Sequence, residues 1–362
     1  SRIRAVLFYP EQERIARIQN LQIPSSCKQS DYLFTTEESV MKNRKTVLAT
    51  VLALVLAFTS ALSFSSCGES KKVYTVGICQ LVQHEALDAA TQGFIDALKE
   101  ELGDAVTVDV QNASGDSVNC GTIVNGFVSK GVDLIMANAT PALTAAVSAT
   151  ADIPILGTSI TAYGVALDID DFNGTVGGNI SGTSDLADLE AQANMITEWF
   201  PDATKVGLLF CSAEPNSRYQ IGEVAKCLSD KGIETKEFAF TDTNDVASVT
   251  QSAADYSDVV YVPTDNTAAS NTEAIANVLV PAGVPAICGE EGICKGCGVA
   301  TLSISYYDLG VTTGKMAAKI LTGEADISEM PIEFTEATPK YNASMCETLG
   351  IEPLEGYTAI EE

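Results

Sequence analysis

"TVGICQLVQHE" (residues 75–85) and "KVGLLFCSAEPNS" (residues 205–217) open two stretches written in the same grammar. Each starts at Val-Gly, runs through apolar residues of strand length, reaches a cysteine and breaks into a polar loop ahead of a helical pattern. After the first, "HEALDAATQGFIDALKEEL" puts Leu87, Ala90, Phe94, Ala97, Leu98 and Leu102 on one helical face, as expected when one stripe is buried. "AVTVDVQNA", "VDLIMANA" and "IPILGTSI" supply further strands, separated by the helical stretches "VNCGTIVNGFVSKG" and "TPALTAAVSATAD". After the second, "ETKEFAFT", "SDVVYVPTDN", "VPAICGEE" and "GVATLSIS" alternate with "NTAASNTEAIANVLVPAG" and "YYDLGVTTGKMAAKILTG". Strands rich in Val and Ile, without polar alternation, belong to parallel sheets covered by helices on both faces. The sequence therefore predicts an α/β protein of two Rossmann-like lobes. Ligands are expected outside the C-terminal ends of the strands, where loops lead into helix N-termini.

The chain has 362 residues, 48 acidic against 21 basic side chains, and a formal net charge of −27. That charge argues against nucleic acid or an anionic membrane face as a partner. Ten cysteines and one histidine are present. Cys294 and Cys297 alone have CxxC spacing, and with Cys288 they could form a metal site, but one histidine and no second CxxC argue against zinc. Buried thiols or one loop disulfide remain open, and no metal or cofactor is expected.

Ahead of the first strand, Met41 is followed by Lys42, Arg44, Lys45 and a 19-residue apolar run, "TVLATVLALVLAFTSALSF" (46–64). A basic n-region, an apolar h-region and small residues at its end make an export signal. Phe64, Ser65 and Ser66 then precede Cys67, which resembles the bacterial lipobox whose cysteine is lipidated as the signal is removed. A plain transmembrane anchor is the alternative, the run being just long enough to span a bilayer. Residues 1–40 are expected to be non-native leader: Glu37 and Glu38 would be encoded by a purine-only run two codons before Met41, where a ribosome-binding site would sit.

"ALDAATQGF", "GTSIT", "SAEPNS", "YVPTDNTAAS" and "YYDLGVTTGKMAAKIL" together resemble the ABC-transporter substrate-binding proteins of the tryptophan/tyrosine type, over residues 73 to about 345. The resemblance implies a type I periplasmic-binding fold with a ligand cleft between the lobes. With the signal peptide read above at 41–66 and a linker at 67–72, it implies an N-terminal lobe at 73–185 with a return segment near 305–325, and a C-terminal lobe at 186–304 with a tail at 326–362. It further implies a monomeric, lipid-anchored, extracytoplasmic protein that binds an α-amino acid, aromatic in preference, and delivers it to a permease and its ATPase subunit. A sensor lipoprotein, or a binder of a nucleoside or sugar, is the alternative. Ala162 and Tyr163 after "GTSIT", and the cysteines of "CGEEGICKGCG", depart from the family pattern in the cleft mouth.

The loops support binding on their own chemistry. In "NATPAL", Thr140 is expected to cap a helix with Pro141 at its first position, leaving N–H groups for a carboxylate. Asn138, Ser159 and Thr161 stand beside it. From the other lobe come Glu214, Asn216, Ser217, Asp265 and Asn266, with Asp265 preferred for an ammonium because a desolvated carboxylate binds well only when paired. Tyr306 and Asp308 lie at a third strand-to-helix junction, and Gln83 and His84 follow the first strand. Cys79 and Cys211 occupy matching places in the two halves, so a two-thiol amino-acid racemase is a remote reading. Without a basic neighbour the two are expected to be buried hydrophobes, and no catalytic residue is assigned.

Overall fold

The structure is a computed structural model that describes residues 72–361, and the leader, the signal segment and Cys67 lie outside the described residues. β1 (Tyr74–Gln80) is buried over its last five residues and leads into α1 (Glu85–Leu102), whose Leu87, Ala90, Phe94 and Leu98 face the core. β2 (Val106–Asn112), α2 (Ser117–Lys130), β3 (Leu134–Asn138), α3 (Thr140–Ala149), β4 (Ile155–Ile160), the one-turn α4 (Tyr163–Ala166) and β5 (Ile180–Ser184) follow. Asp116 caps α2 by accepting from the Val118 amide, and Gly131, at φ 66°, ends it, because a left-handed C-terminal residue suits glycine.

The second half repeats the pattern: α5 (Leu189–Trp199), β6 (Lys205–Cys211), α6 (Pro215–Asp230), β7 (Glu234–Phe240), α7 (Val246–Ala254), β8 (Val259–Val262), α8 (Asn266–Ala269), α9 (Thr272–Ala282), β9 (Ala286–Cys288), α10 (Glu291–Cys297) and β10 (Ala300–Ser303). α11 (Tyr306–Thr322), β11 (Glu333–Phe334), β12 (Thr338–Tyr341), α12 (Ala343–Leu349) and β13 (Thr358–Ala359) complete it. The strands form two sheets, ordered β11-β5-β4-β3-β1-β2 and β13-β12-β10-β9-β8-β6-β7. The first is parallel throughout; in the second only β10 and β12 run antiparallel. The order 2-1-3-4-5 thus occurs twice, and its switch points fall beside β1 and β6, the strands that carry the echoed sequences.

α11 leaves the second sheet but packs on α1 of the first. A Cβ at Gly93 would lie 2.1 Å from the Tyr307 carbonyl, and one at Gly310 would lie 2.0 Å from that of Ala90. The two helices meet backbone to backbone, which only glycine permits.

Three expectations change. β5 is a strand where its Ser-Gly-Thr-Ser composition gave no apolar signal. "NTAASNTEAIANVLVPAG" is two helices, α8 and α9, the second starting after Asn271. The tail at 326–362 is divided between the sheets: Glu333 and Phe334 pair with Thr183 and Ser184 of β5, while β12 and β13 join the second sheet. The cause is β5 itself, which leaves an edge that the returning chain covers.

Candidate ligand-binding site

Where the C-terminal ends of the two sheets face each other lies a narrow cavity of about 10 Å³, room for about one water molecule. His84, Ser159, Thr161 and Asp185 come to its wall from one half, Asn216, Thr264, Asp265, Asn266 and Glu290 from the other, and Tyr306 from the crossover. The halves touch across it: His84 Nε2 lies 3.3 Å from Asn266 Oδ1, and Lys295 Nζ lies 3.5 Å from Glu85 Oε1. The wall carries three carboxylates and no lysine or arginine.

The three carboxylates are bound differently. Asp265 accepts the Cys211 amide at 2.6 Å on one oxygen and the Ala268 amide at 2.8 Å on the other, capping α8. Glu290 caps α10, accepting from the Ile293 and Gly292 amides. Asp185 accepts one hydrogen bond on Oδ2, from the Tyr306 hydroxyl at 2.9 Å, while its Oδ1 is buried with no partner. Burial raises all three above the usual carboxylate range, Glu290 to about 7 despite its two amide donors. Burial also lowers His84, so its neutral form is favoured, against the pull of Asn266 and Glu214. Two more wall atoms lack partners: Ser159 Oγ, and Oδ1 of Asn216, whose Nδ2 donates to the Thr264 carbonyl at 3.0 Å.

Of the residues singled out in the sequence, His84, Ser159, Thr161, Asn216, Asp265, Asn266 and Tyr306 meet at this cavity. Six do not line it. Gln83 and Asp308 are exposed. Asn138 is buried beneath α1, donating to the Leu87 carbonyl at 2.8 Å and Thr91 Oγ1 at 3.0 Å. Ser217 is buried behind Asn216, which reaches its Oγ at 3.4 Å. Thr140 is a correction: Ala139, at φ 88°, holds the N-cap and Thr140 is the first helical residue, so its hydroxyl caps nothing there. Glu214 turns to the second half's own loops, accepting from the Asn266 amide and Nδ2 at 3.0 and 2.7 Å, from the Thr267 amide and Oγ1, both at 2.8 Å, and from Asn216 Nδ2 at 3.3 Å.

Asp185 and Glu290 were missed. Asp185 follows "GTS" at 182–184, a repeat of "GTS" at 157–159, and the two tripeptides lie at the ends of adjacent strands, Thr158 Oγ1 and Thr183 Oγ1 being 3.2 Å apart. The repeat was the available signal. Tyr163 lies outside the cavity: its ring fits against Gly157 and Gly182 and its hydroxyl donates to the Thr183 carbonyl at 3.2 Å. Cys79 is buried in the first core and Cys211 faces a separate groove, so the two thiols share no cavity; burial raises Cys211 to about 11. Cys288, Cys294 and Cys297 are free and buried, and among the described residues no cluster of His, Cys, Asp or Glu is arranged to hold a metal ion.

Residues 75–355 match the family model described as ABC transporter substrate binding protein. The chain belongs to that family. Its members are binding proteins that work outside the cytoplasm with ABC transporter components, and none of the described helices is long and apolar enough to cross a membrane. A tyrosine-binding protein of Clostridioides difficile is 33% identical over 276 residues, 75% of this chain and 79% of that protein. The ABC domain of Streptococcus pneumonia in complex with L-Trp superposes with a TM-score of 0.76 at 30% identity, covering 80% of this chain and all of that one. A ligand-free, open substrate-binding protein from Clostridium difficile, at 33% identity, covers 80% of this chain and 99% of its own, and scores 0.62. The lower score falls on the more identical open protein, in accord with lobes that touch here.

Proposed function

We propose that this family member binds an aromatic α-amino acid between its lobes and passes it to a permease and ATPase. The observation that carries the reading is the cavity wall: three buried carboxylates and no basic side chain. Such a wall favours a ligand that brings its own cation. Names borne by relatives, tyrosine for one and L-Trp for another, give the aromatic preference. Contact with the ligand is assigned to His84, Ser159, Thr161, Asn216, Asp265, Asn266 and Tyr306. Because both lobes contribute, the ligand favours closure.

Calorimetry against the twenty amino acids, several nucleosides and simple sugars tests the reading. An aromatic amino acid is expected to bind; binding of a nucleoside or sugar and of no amino acid sinks it.

Export by residues 41–66 and acylation of Cys67 complete the proposal, with 1–40 as leader, 67–72 as tether and a monomeric two-lobed body from residue 73. Each buried acyl CH₂ adds ~0.8 kcal/mol of membrane affinity. Cys67→Ala should release the protein from membranes, whereas a variant that stays bound with 46–64 uncleaved identifies a transmembrane anchor.

A further inference from the structure

From the pattern of paired and unpaired atoms on the wall, and resting on the amino-acid reading above, we infer that the ligand is clasped at two points. Asp185 takes its ammonium, and the N-terminus of α1 with Ser159 takes its carboxylate.

The ammonium site follows by elimination. Both oxygens of Asp265 and both of Glu290 are engaged by backbone amides. Only Asp185 presents an unpartnered carboxylate oxygen. It is 5% exposed, and its second oxygen is held by the Tyr306 hydroxyl, which fixes the carboxylate plane. A buried acceptor without a donor is destabilising, and a three-donor ammonium would relieve that cost. Asn216 Oδ1, the other unpartnered acceptor on this wall, offers a second hydrogen bond from the opposite lobe. Two bare acceptors call for a donor-rich group.

The carboxylate site rests on two independent observations. α1 has 18 residues and His84 at its N-cap makes no side-chain capping bond, so the first amides lack intrahelical partners. His84 and Leu87 bring that end to the wall. The acidic side chains of the first turn are turned elsewhere: Asp88 accepts from Gln80 at 2.6 Å and Glu85 faces Lys295. Ser159, 6% exposed and held at φ 55°, supplies a buried hydroxyl with no partner on the same wall. A helix N-terminus and a hydroxyl donor make an anion site without a basic residue, which suits a wall that has none. The α3 terminus, where the sequence placed this site, does not line the cavity.

The test uses L-tyrosine, tyramine, which lacks the carboxylate, and 3-(4-hydroxyphenyl)propionate, which lacks the ammonium, titrated into wild type, Asp185→Asn and Ser159→Ala. The tryptophan, tryptamine and indole-3-propionate series replaces them if tryptophan is the amino acid bound. Asp185→Asn should weaken the amino acid and the amine more than tenfold and leave the propionate within about twofold, since a hydrogen bond to a charged group contributes ~1.5–3 kcal/mol. Ser159→Ala should weaken the amino acid and the propionate together and spare the amine. Equal losses for all three probes, or no loss in Asp185→Asn, overturn the assignment while leaving an amino-acid binder. If wild type binds no amino acid, the functional reading falls and the clasp with it. Should Asp185→Asn fail to fold, Tyr306→Phe, which removes the hydroxyl bonded to Asp185 Oδ2, is expected to give the same contrast at smaller size, and equal effects on all probes would again overturn it.

Discussion

The two lobes begin with the same sequence grammar and finish their first strand-to-helix junction in opposite ways. After β6, Glu214 reaches across to the start of α8 and satisfies two amides and two side chains of Asn266 and Thr267. Asp265 then ties α8 back to the end of β6. After β1, His84 leaves the amides of α1 uncapped, and the neighbouring loops end in Ser159 and Asp185 with bare polar atoms. One lobe is tied at its carboxylates and keeps only Asn216 Oδ1 bare on the wall, while the other keeps a carboxylate, a hydroxyl and a helix terminus in reserve. Burial does not distinguish them, since Asp265 and Asp185 are 1% and 5% exposed. The inventory of partners does.

The largest expected effect of that difference is on stability. Glu214→Ala removes the acceptor of five hydrogen bonds and strands donors that are buried or half-buried, so a loss of about 3 kcal/mol is expected, within the range for bonds to a charged group after water compensates some of them. His84→Ala, at the matching place in the first lobe, deletes one long contact of 3.3 Å and should stay within about 0.5 kcal/mol. Urea denaturation of both variants without ligand checks the pair. Equal losses would mean that both junctions are structural and that the contrast between the lobes is empty.

The same contrast explains what could be read from the sequence. Both sheets were legible because their central strands are apolar and strand-length: "VDLIMANA" and "SDVVYVPTDN" leave little alternative once helices flank them. β5 was not. Its interior is satisfied by hydroxyl chemistry, Thr183 Oγ1 lying 2.8 Å from Thr313 Oγ1 and Ser181 Oγ donating to the Met330 carbonyl at 3.0 Å, partners distant in sequence. Missing the strand meant missing Asp185 at its end. Thr140 was misread for a different reason. Thr-Pro has the composition of an N-cap and first helical position, but the unusual backbone of Ala139 moves the helix start by one residue. Gln83 and Asp308 stand at the right junctions and on the exposed side of them, which sequence position alone does not specify.

The smaller effect expected is a pH dependence. A carboxyl whose folded pKa lies above its unfolded value holds its proton more tightly in the native state, so stability falls as pH rises through the interval between the two values. For Glu290 that interval runs from 4.5 to about 7, and the upward shifts of Asp185 and Asp265 act in the same direction. The groups that oppose ionisation of Glu290 are burial first, then Glu85 and Glu291, while its own capped amides favour it. Carboxylates shifted downward have the reverse sign. Asp258, which accepts the Thr204 and Lys205 amides, lends stability that disappears as pH falls through its lowered value. Ligand-free protein is therefore expected to be most stable near mildly acid pH and to lose roughly 1–3 kcal/mol toward neutrality, at ~1.4 kcal/mol per pKa unit and with lobe opening relieving part of the cost. Repulsion among the surface charges of a chain at −27 has the same sign, so thermal melts of Glu290→Gln against wild type between pH 4.5 and 7.5 separate the two causes. A flatter profile in the variant assigns the slope to the cavity; parallel profiles assign it to the surface. Saturating amino acid should flatten the wild-type profile as well, because a bound ammonium stabilises ionised Asp185 and offsets the cost of burying its charge.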